Sequence, residues 1–187
     1  AINALIGNFD EALKIASRIH KDERAWVLAR IAVCQARIGQ FEPAFETLQK
    51  IKYSQEQKSE LHRAWALKEI ALVQLERKHT QAAKNTFEKA IEVAQAIHVD
   101  DLMAVILASA GFGNLALKKI DKFPFYLNDN FPEVGLAMCK RGDTNNFKKL
   151  LIPCAYYLDA SYRMCGYLAG LYPQISQSIV EVVKYLC

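Results

Sequence analysis

The chain has 187 residues, of which 52% are apolar and 24% charged, with a formal net charge of +4. This composition excludes intrinsic disorder. No apolar run reaches the roughly 18 residues that a membrane span needs. Asp10 and Glu11 interrupt the first apolar stretch, so no signal peptide is expected there. The excess positive charge is spread out: from residue 99 onward there are nine Lys or Arg against eight Asp or Glu. A continuous phosphate-tracking stripe is therefore not indicated, and the pairs Lys118-Lys119, Lys140-Arg141 and Lys148-Lys149 read as solvated helix faces.

Apolar periodicity and breaks predict helices over 8–20, 23–38, 41–52, 55–77, 80–97, 100–110, 114–122, 131–141, 144–152, 154–171 and 175–186, with no strand. The breaks fall at Gly7, Gly39, Lys78 (before His79-Thr80), Gly111 to Gly113, Gly142 and Pro173. Glycine suits such places because a helix ends most easily where φ turns positive. Polar residues follow each break. Thr80 opens one helix, Asp143-Thr144 another, and Ser54-Gln55-Glu56-Gln57 fits a capping box before the helix that carries Trp65. Asn130-Phe131-Pro132-Glu133 places a proline early in its helix.

The two tryptophans reveal a duplication. The segment Arg24-Ala25-Trp26-Val27-Leu28 lies over Arg63-Ala64-Trp65-Ala66-Leu67 at an offset of 39 residues. The same offset matches Ile31 with Ile70, Ala32 with Ala71, Gln35 with Gln74, Ala44 with Ala83, Thr47 with Thr86 and Lys50 with Lys89. Ten identities at one fixed offset between residues 24 and 50 mark an internal repeat.

Spacing within the repeat is specific. Leu28-x2-Ile31-Ala32-x2-Gln35 followed by Gly39-x-Phe41-x2-Ala44-x3-Leu48, and Leu67-x2-Ile70-Ala71-x2-Gln74 followed by Thr80-x2-Ala83-x3-Phe87, resemble the tetratricopeptide repeat. Gly7-x-Phe9-x2-Ala12 supplies the second half of an earlier copy, and Phe131-x2-Val134-Gly135-x2-Met138 the first half of a later one. The resemblance implies an all-α fold: a right-handed α-α superhelix of about five to six antiparallel helix pairs. Small residues at Ala32, Ala71 and Gly135 are then needed where paired helices approach closely. Residues 1–98 form tetratricopeptide-like repeats, the first truncated, and 99–187 form degenerate, aromatic-rich repeats continuing the solenoid. Under this resemblance, the truncated start is expected to mean either further protein upstream or a shortened chain. Twelve of the 17 Phe and Tyr residues lie in 112–187, among them Phe123, Phe125, Tyr126, Tyr156, Tyr157, Tyr162, Tyr167 and Tyr172. These serve either as bulky core or as a recognition surface.

No motif for catalysis, nucleotide binding or metal ligation occurs. His20, His62, His79 and His98 lie near helix ends and are expected to face solvent. Arg141-Gly142-Asp143 is an adhesion-type tripeptide only by chance, since it falls at a helix break. The five cysteines, Cys34, Cys139, Cys154, Cys165 and Cys187, have no C-x-x-C spacing. They are expected to be free thiols without metal, in a cytoplasmic protein.

Three functions compete on these grounds. A non-enzymatic scaffold or sensor segment without cofactor, holding a protein or peptide partner, is the leading expectation. A nucleic-acid-binding helical repeat is the alternative, although periods between 31 and 39 residues sit poorly with a one-base-per-repeat code. An enzyme built on helical repeats is the third, for which no motif speaks. The resemblance implies that first helices line an inner surface, which places Trp26, Val33, Ala36 and Arg37 there, with Trp65, Lys68, Leu72, Leu75 and Glu76. Of these, Trp26, Arg37, Trp65, Lys68, Leu72 and Glu76 are the candidate partner-binding residues.

Overall fold

A computed structural model of the chain describes residues 7–51, 58–120 and 131–154, together with 163, 164, 166, 167, 169 and 170. Among these residues the protein is all-α, with nine helices and no strand. They are α1 (Phe9–Arg18), α2 (Lys21–Arg37), α3 (Phe41–Gln49), α4 (Lys58–Glu76), α5 (Thr80–Ala96), α6 (Asp100–Ala110), α7 (Gly113–Ile120), α8 (Phe131–Lys140) and α9 (Thr144–Cys154). None is long and apolar enough to cross a membrane. The chain divides into two compact units, Ala1–Val99 and Asp100–Cys187.

Helix ends explain this regularity. In α2, Gly39 adopts φ +91°, its N–H donates to Ala36 O (2.8 Å), and the Gln40 N–H reaches back to Gln35 O (3.0 Å). This is the Schellman pattern, which satisfies carbonyls that the helix itself leaves unpaired. The same pair of bonds recurs after α4 at Lys78, after α6 at Gly111 and after α8 at Gly142. Lys78 holds φ +65° without being glycine, a conformation that costs roughly 1–2 kcal/mol for an L-residue. One further left-handed junction, His98 at φ +54° after α5, is not foreshadowed by any glycine.

Helix starts agree less uniformly with expectation. Asn8 accepts from the Glu11 N–H (3.3 Å), and Asp143 Oδ1 accepts from the Asn146 N–H (3.3 Å), so both cap their helices. Thr80 is not a cap. It is the first residue of α5, and the cap position belongs to His79, whose side chain makes no capping bond. Pro132 sits in the first turn of α8, where a missing N–H leaves nothing unpaired. The expected break between 152 and 154 does not occur, because α9 runs through Pro153 to Cys154. The capping box at 54–57 and the helix expected over 175–186 lie outside the described residues, as does most of that over 154–171.

In the first unit, each helix packs on its neighbour in sequence, and α2 also packs on α4. Ala32 and Ala71 are fully buried in this packing, as are Ile31, Ile70, Ala44 and Ala83. In the second unit, α6 packs on α7 and α8, and α9 packs on α8 and α7. Gly135 is small for a direct reason: a Cβ there would meet the sulfur and methyl of Met164 and come within 3.2 Å of the Phe147 ring.

An arginine joins successive pairs in both units. Arg77, directly before the Lys78 junction, donates from Nη2 to Arg37 O (2.7 Å) at the end of α2. Arg141, directly before Gly142, donates from Nη2 to Ala110 O (3.4 Å) at the end of α6. Each guanidinium lies against a glycine turn, and a Cβ on Gly39 or Gly111 would come within about 3 Å of it. A cation at a helix C-terminus meets both the unpaired carbonyls and the negative end of the helix dipole. Arg141 and Asp143 of the tripeptide are thus structural, one capping α6 and the other α9.

Candidate partner-binding surface

α2 is covered on most of its circumference. Ala25, Leu28, Ala29, Ile31, Ala32, Val33, Gln35 and Ala36 are all buried, because α1, α3 and α4 pack around the helix. Val33 and Ala36, expected on the inner surface, therefore belong to the core. What stays exposed is one stripe at helical spacing, Glu23, Trp26, Arg30 and Arg37. On the adjoining α4, Trp65, Glu69, Leu72 and Leu75 are half-buried and Glu76 is exposed.

Arg30 binds this surface together. Its guanidinium carbon lies 5.6 Å from the centroid of the Trp26 ring and 6.0 Å from that of Trp65. Both distances are within the range of cation–π attraction, which is strongest for tryptophan. Trp26 nevertheless leaves 46% of its surface exposed, unusual for the residue type that buries the most area. Trp26 and Trp65 are thus neighbours on adjoining helices that share one cation.

The remaining candidates separate. Arg37 is exposed, and its carbonyl receives Arg77. Lys68 is buried, with Nζ 2.9 Å from Glu69 Oε1, so its charge is neutralised within the protein rather than offered to a partner. Leu72 is half-buried and Glu76 exposed at the end of α4. Arg30 was not foreseen. The offset that reveals the tryptophans places Glu69 opposite Arg30, which hides the residue, although Arg30 stands four residues after Trp26 on the same helical face.

The histidines also differ from one another. His79 and His98 are exposed, and the His79 ring lies 5.7 Å from Phe41. His62, expected to face solvent, is half-buried within α4, and this burial lowers its pKa below the usual histidine value. Cys34 and Cys139 are free thiols, while the side chains of Cys154, Cys165 and Cys187 lie outside the described residues. Burial raises the Cys139 thiol to about 11. No cluster of three or more His, Cys, Asp or Glu side chains that could hold a metal occurs among the described residues. Of the aromatic C-terminal residues, Phe147 is buried, Tyr167 half-buried and Phe112 exposed. Phe123, Phe125, Tyr126, Tyr156, Tyr157, Tyr162 and Tyr172 lie outside the described residues.

No family model matches the chain, and neither does any curated protein or solved structure.

Proposed function

We propose that this chain is a tetratricopeptide-like repeat protein of right-handed superhelical winding. In this reading it serves no catalytic purpose and holds a protein or peptide partner on the surface formed by Trp26, Arg30 and Trp65. The observation that carries the reading is the placement of Arg30 over both tryptophans while Trp26 stays half in solvent. Tryptophan and arginine are the residues most enriched among binding hot spots. A pair of indoles fixed by a shared cation loses little side-chain entropy when a partner covers it. Support for the repeat architecture comes from the 39-residue duplication and from the packing of α2 on α4 beside their own second helices.

Trp26 and Trp65 are the only tryptophans of the chain, so intrinsic fluorescence reads this surface directly. Proteins retained by the immobilised chain are identified and titrated against wild type, Trp26→Ala and Arg30→Gln. The partner is expected to shift the emission of wild type and to lose at least about 2 kcal/mol of binding to Trp26→Ala, whose melting temperature stays near wild type. Unchanged binding by Trp26→Ala would sink the proposal. So would global unfolding of that variant, which would make the indole a core residue costing about 3–5 kcal/mol on truncation.

A further inference from the structure

The second unit carries a separate surface. α7 buries Gly113, Ala116 and Ile120 and exposes Asn114, Leu115 and Lys118. α9 buries Asn146, Phe147 and Leu150 and exposes Asn145, Lys148 and Lys149. The two helices pack on each other, so their uncovered sides adjoin. Across Gly113–Ile120 and Thr144–Cys154 there are four lysines and no carboxylate. Lys119 is spoken for, with Nζ 2.6 Å from Asp100 Oδ1. Lys118, Lys148 and Lys149 make no ion pair among the described residues.

The acidic groups of this unit that are among the described residues are placed elsewhere. Asp100 and Asp101 open α6, Glu133 opens α8, and Asp143 is engaged by Asn146 through both its backbone and its side-chain amide. Attraction to a helix C-terminus accounts for lysines in the last turn of α7. It does not account for Lys148 and Lys149, which sit in the middle of α9. Beside these cations stand two exposed apolar side chains, Phe112 at 47% and Leu115 at 49% exposure. Phe112, Leu115 and Lys118 follow at intervals of three residues along one flank, each step advancing about 4.5 Å along the axis.

We propose that this α7–α9 face docks an acidic protein segment, one whose apolar residues settle on Phe112 and Leu115 and whose following carboxylates pair with Lys118, Lys148 and Lys149. The order of the groups selects this occupant. A chain running along α7 meets the apolar pair first and the lysines a turn later. Two apolar side chains give too little area to hold the face in an acyl layer. A nucleic-acid strand would want successive stacking rings, and this face exposes a single ring, Phe112. The proposal does not depend on Trp26 or Trp65.

The test uses the full chain and a labelled synthetic peptide with two leucines followed by a run of glutamates. Binding by fluorescence anisotropy should weaken roughly tenfold in the triple variant Lys118→Gln, Lys148→Gln, Lys149→Gln, and should weaken with added salt. A peptide with glutamine in place of glutamate should not bind, Leu115→Gln should bind more weakly, and Trp26→Ala should bind as wild type does. All substitutions are at exposed positions, and circular dichroism verifies that the variants stay helical. Equal binding by the triple variant or by the glutamine peptide overturns the proposal. Undiminished binding by Leu115→Gln overturns its apolar half. Tighter, lysine-dependent binding to phosphatidylserine vesicles or to duplex RNA overturns the choice of a protein segment.

Discussion

The two units solve one problem with different materials. In the first, long helices such as α2, α4 and α5 run 17 to 19 residues, and a buried side-chain bond ties one pair together: Thr47 Oγ1 donates to Gln35 Oε1 at 2.8 Å. In the second, the described helices run 8 to 11 residues, and α6 is buried along most of its length. There the second helices also touch, because Gly113 has no side chain to block Asp143 and Asn146. Both units nonetheless use the same left-handed junction and the same arginine cap. The comparison teaches that helix length and core composition differ freely, whereas the turn geometry that pairs the last buried carbonyls of the helix does not, since leaving them unpaired is costly in either setting.

Within the first unit, positions that the 39-residue offset aligns differ at a buried polar pair. Thr86, equivalent to Thr47, donates instead to Ala82 O within its own helix (2.9 Å), and Gln74 Oε1 is left buried without a partner. The cost of a buried unpaired oxygen therefore falls on Gln74 and not on Gln35.

The largest expected effect contrasts two glycine junctions. Gly39 and Gly142 both hold positive φ, but only at Gly39 would a Cβ meet a neighbour, Arg77 Nη1 at 2.9 Å. Gly142→Val should cost about 1–2 kcal/mol from backbone strain alone. Gly39→Val should cost more, about 2–3 kcal/mol, because Arg77 must also leave its carbonyl. Chemical denaturation of the two variants measures the difference, and equal costs would mean that the arginine yields freely.

A smaller contrast concerns the arginine caps. Arg77 bonds at 2.7 Å and Arg141 at 3.4 Å. Arg77→Ala is expected to lower stability by about 1 kcal/mol, and Arg141→Ala by less than half of that, as thermal melts would show. The reverse order would break the correspondence between the two units.

The smallest effect leaves stability untouched and compares thiols. At pH 8 the Cys139 thiol, raised to about 11, is almost wholly protonated, and only the thiolate reacts. Brief alkylation followed by mass spectrometry should find Cys34, which is half-buried, modified well before Cys139. The rate at Cys139 should rise as pH increases toward 11.

Much of the helix map was legible in the sequence because its causes are local. Gly7, Gly39, Gly111 and Gly142 announce positive φ by lacking a Cβ, and apolar periodicity marks the helices between them. The junctions at Lys78 and His98 carry no such mark, and there the breaks between 77 and 80 and between 97 and 100 show only as interruptions of the helical pattern. The candidate surface was legible in part. Equivalent positions of a duplication project alike, which brought Trp26 and Trp65 to notice together.

Which side of α2 and α4 remains uncovered was a tertiary decision. Val33, Ala36 and Lys68 lie at helical spacings compatible with the exposed stripe, yet the packing of α1, α3 and α4 around α2, and of α2, α3 and α5 around α4, buries them. Arg30, Arg77 and Arg141 likewise took their roles from the fold. A long, charged side chain has no preferred target until packing brings two indoles or a helix-end carbonyl within its reach, and that proximity is set by contacts up to 40 residues apart in the chain.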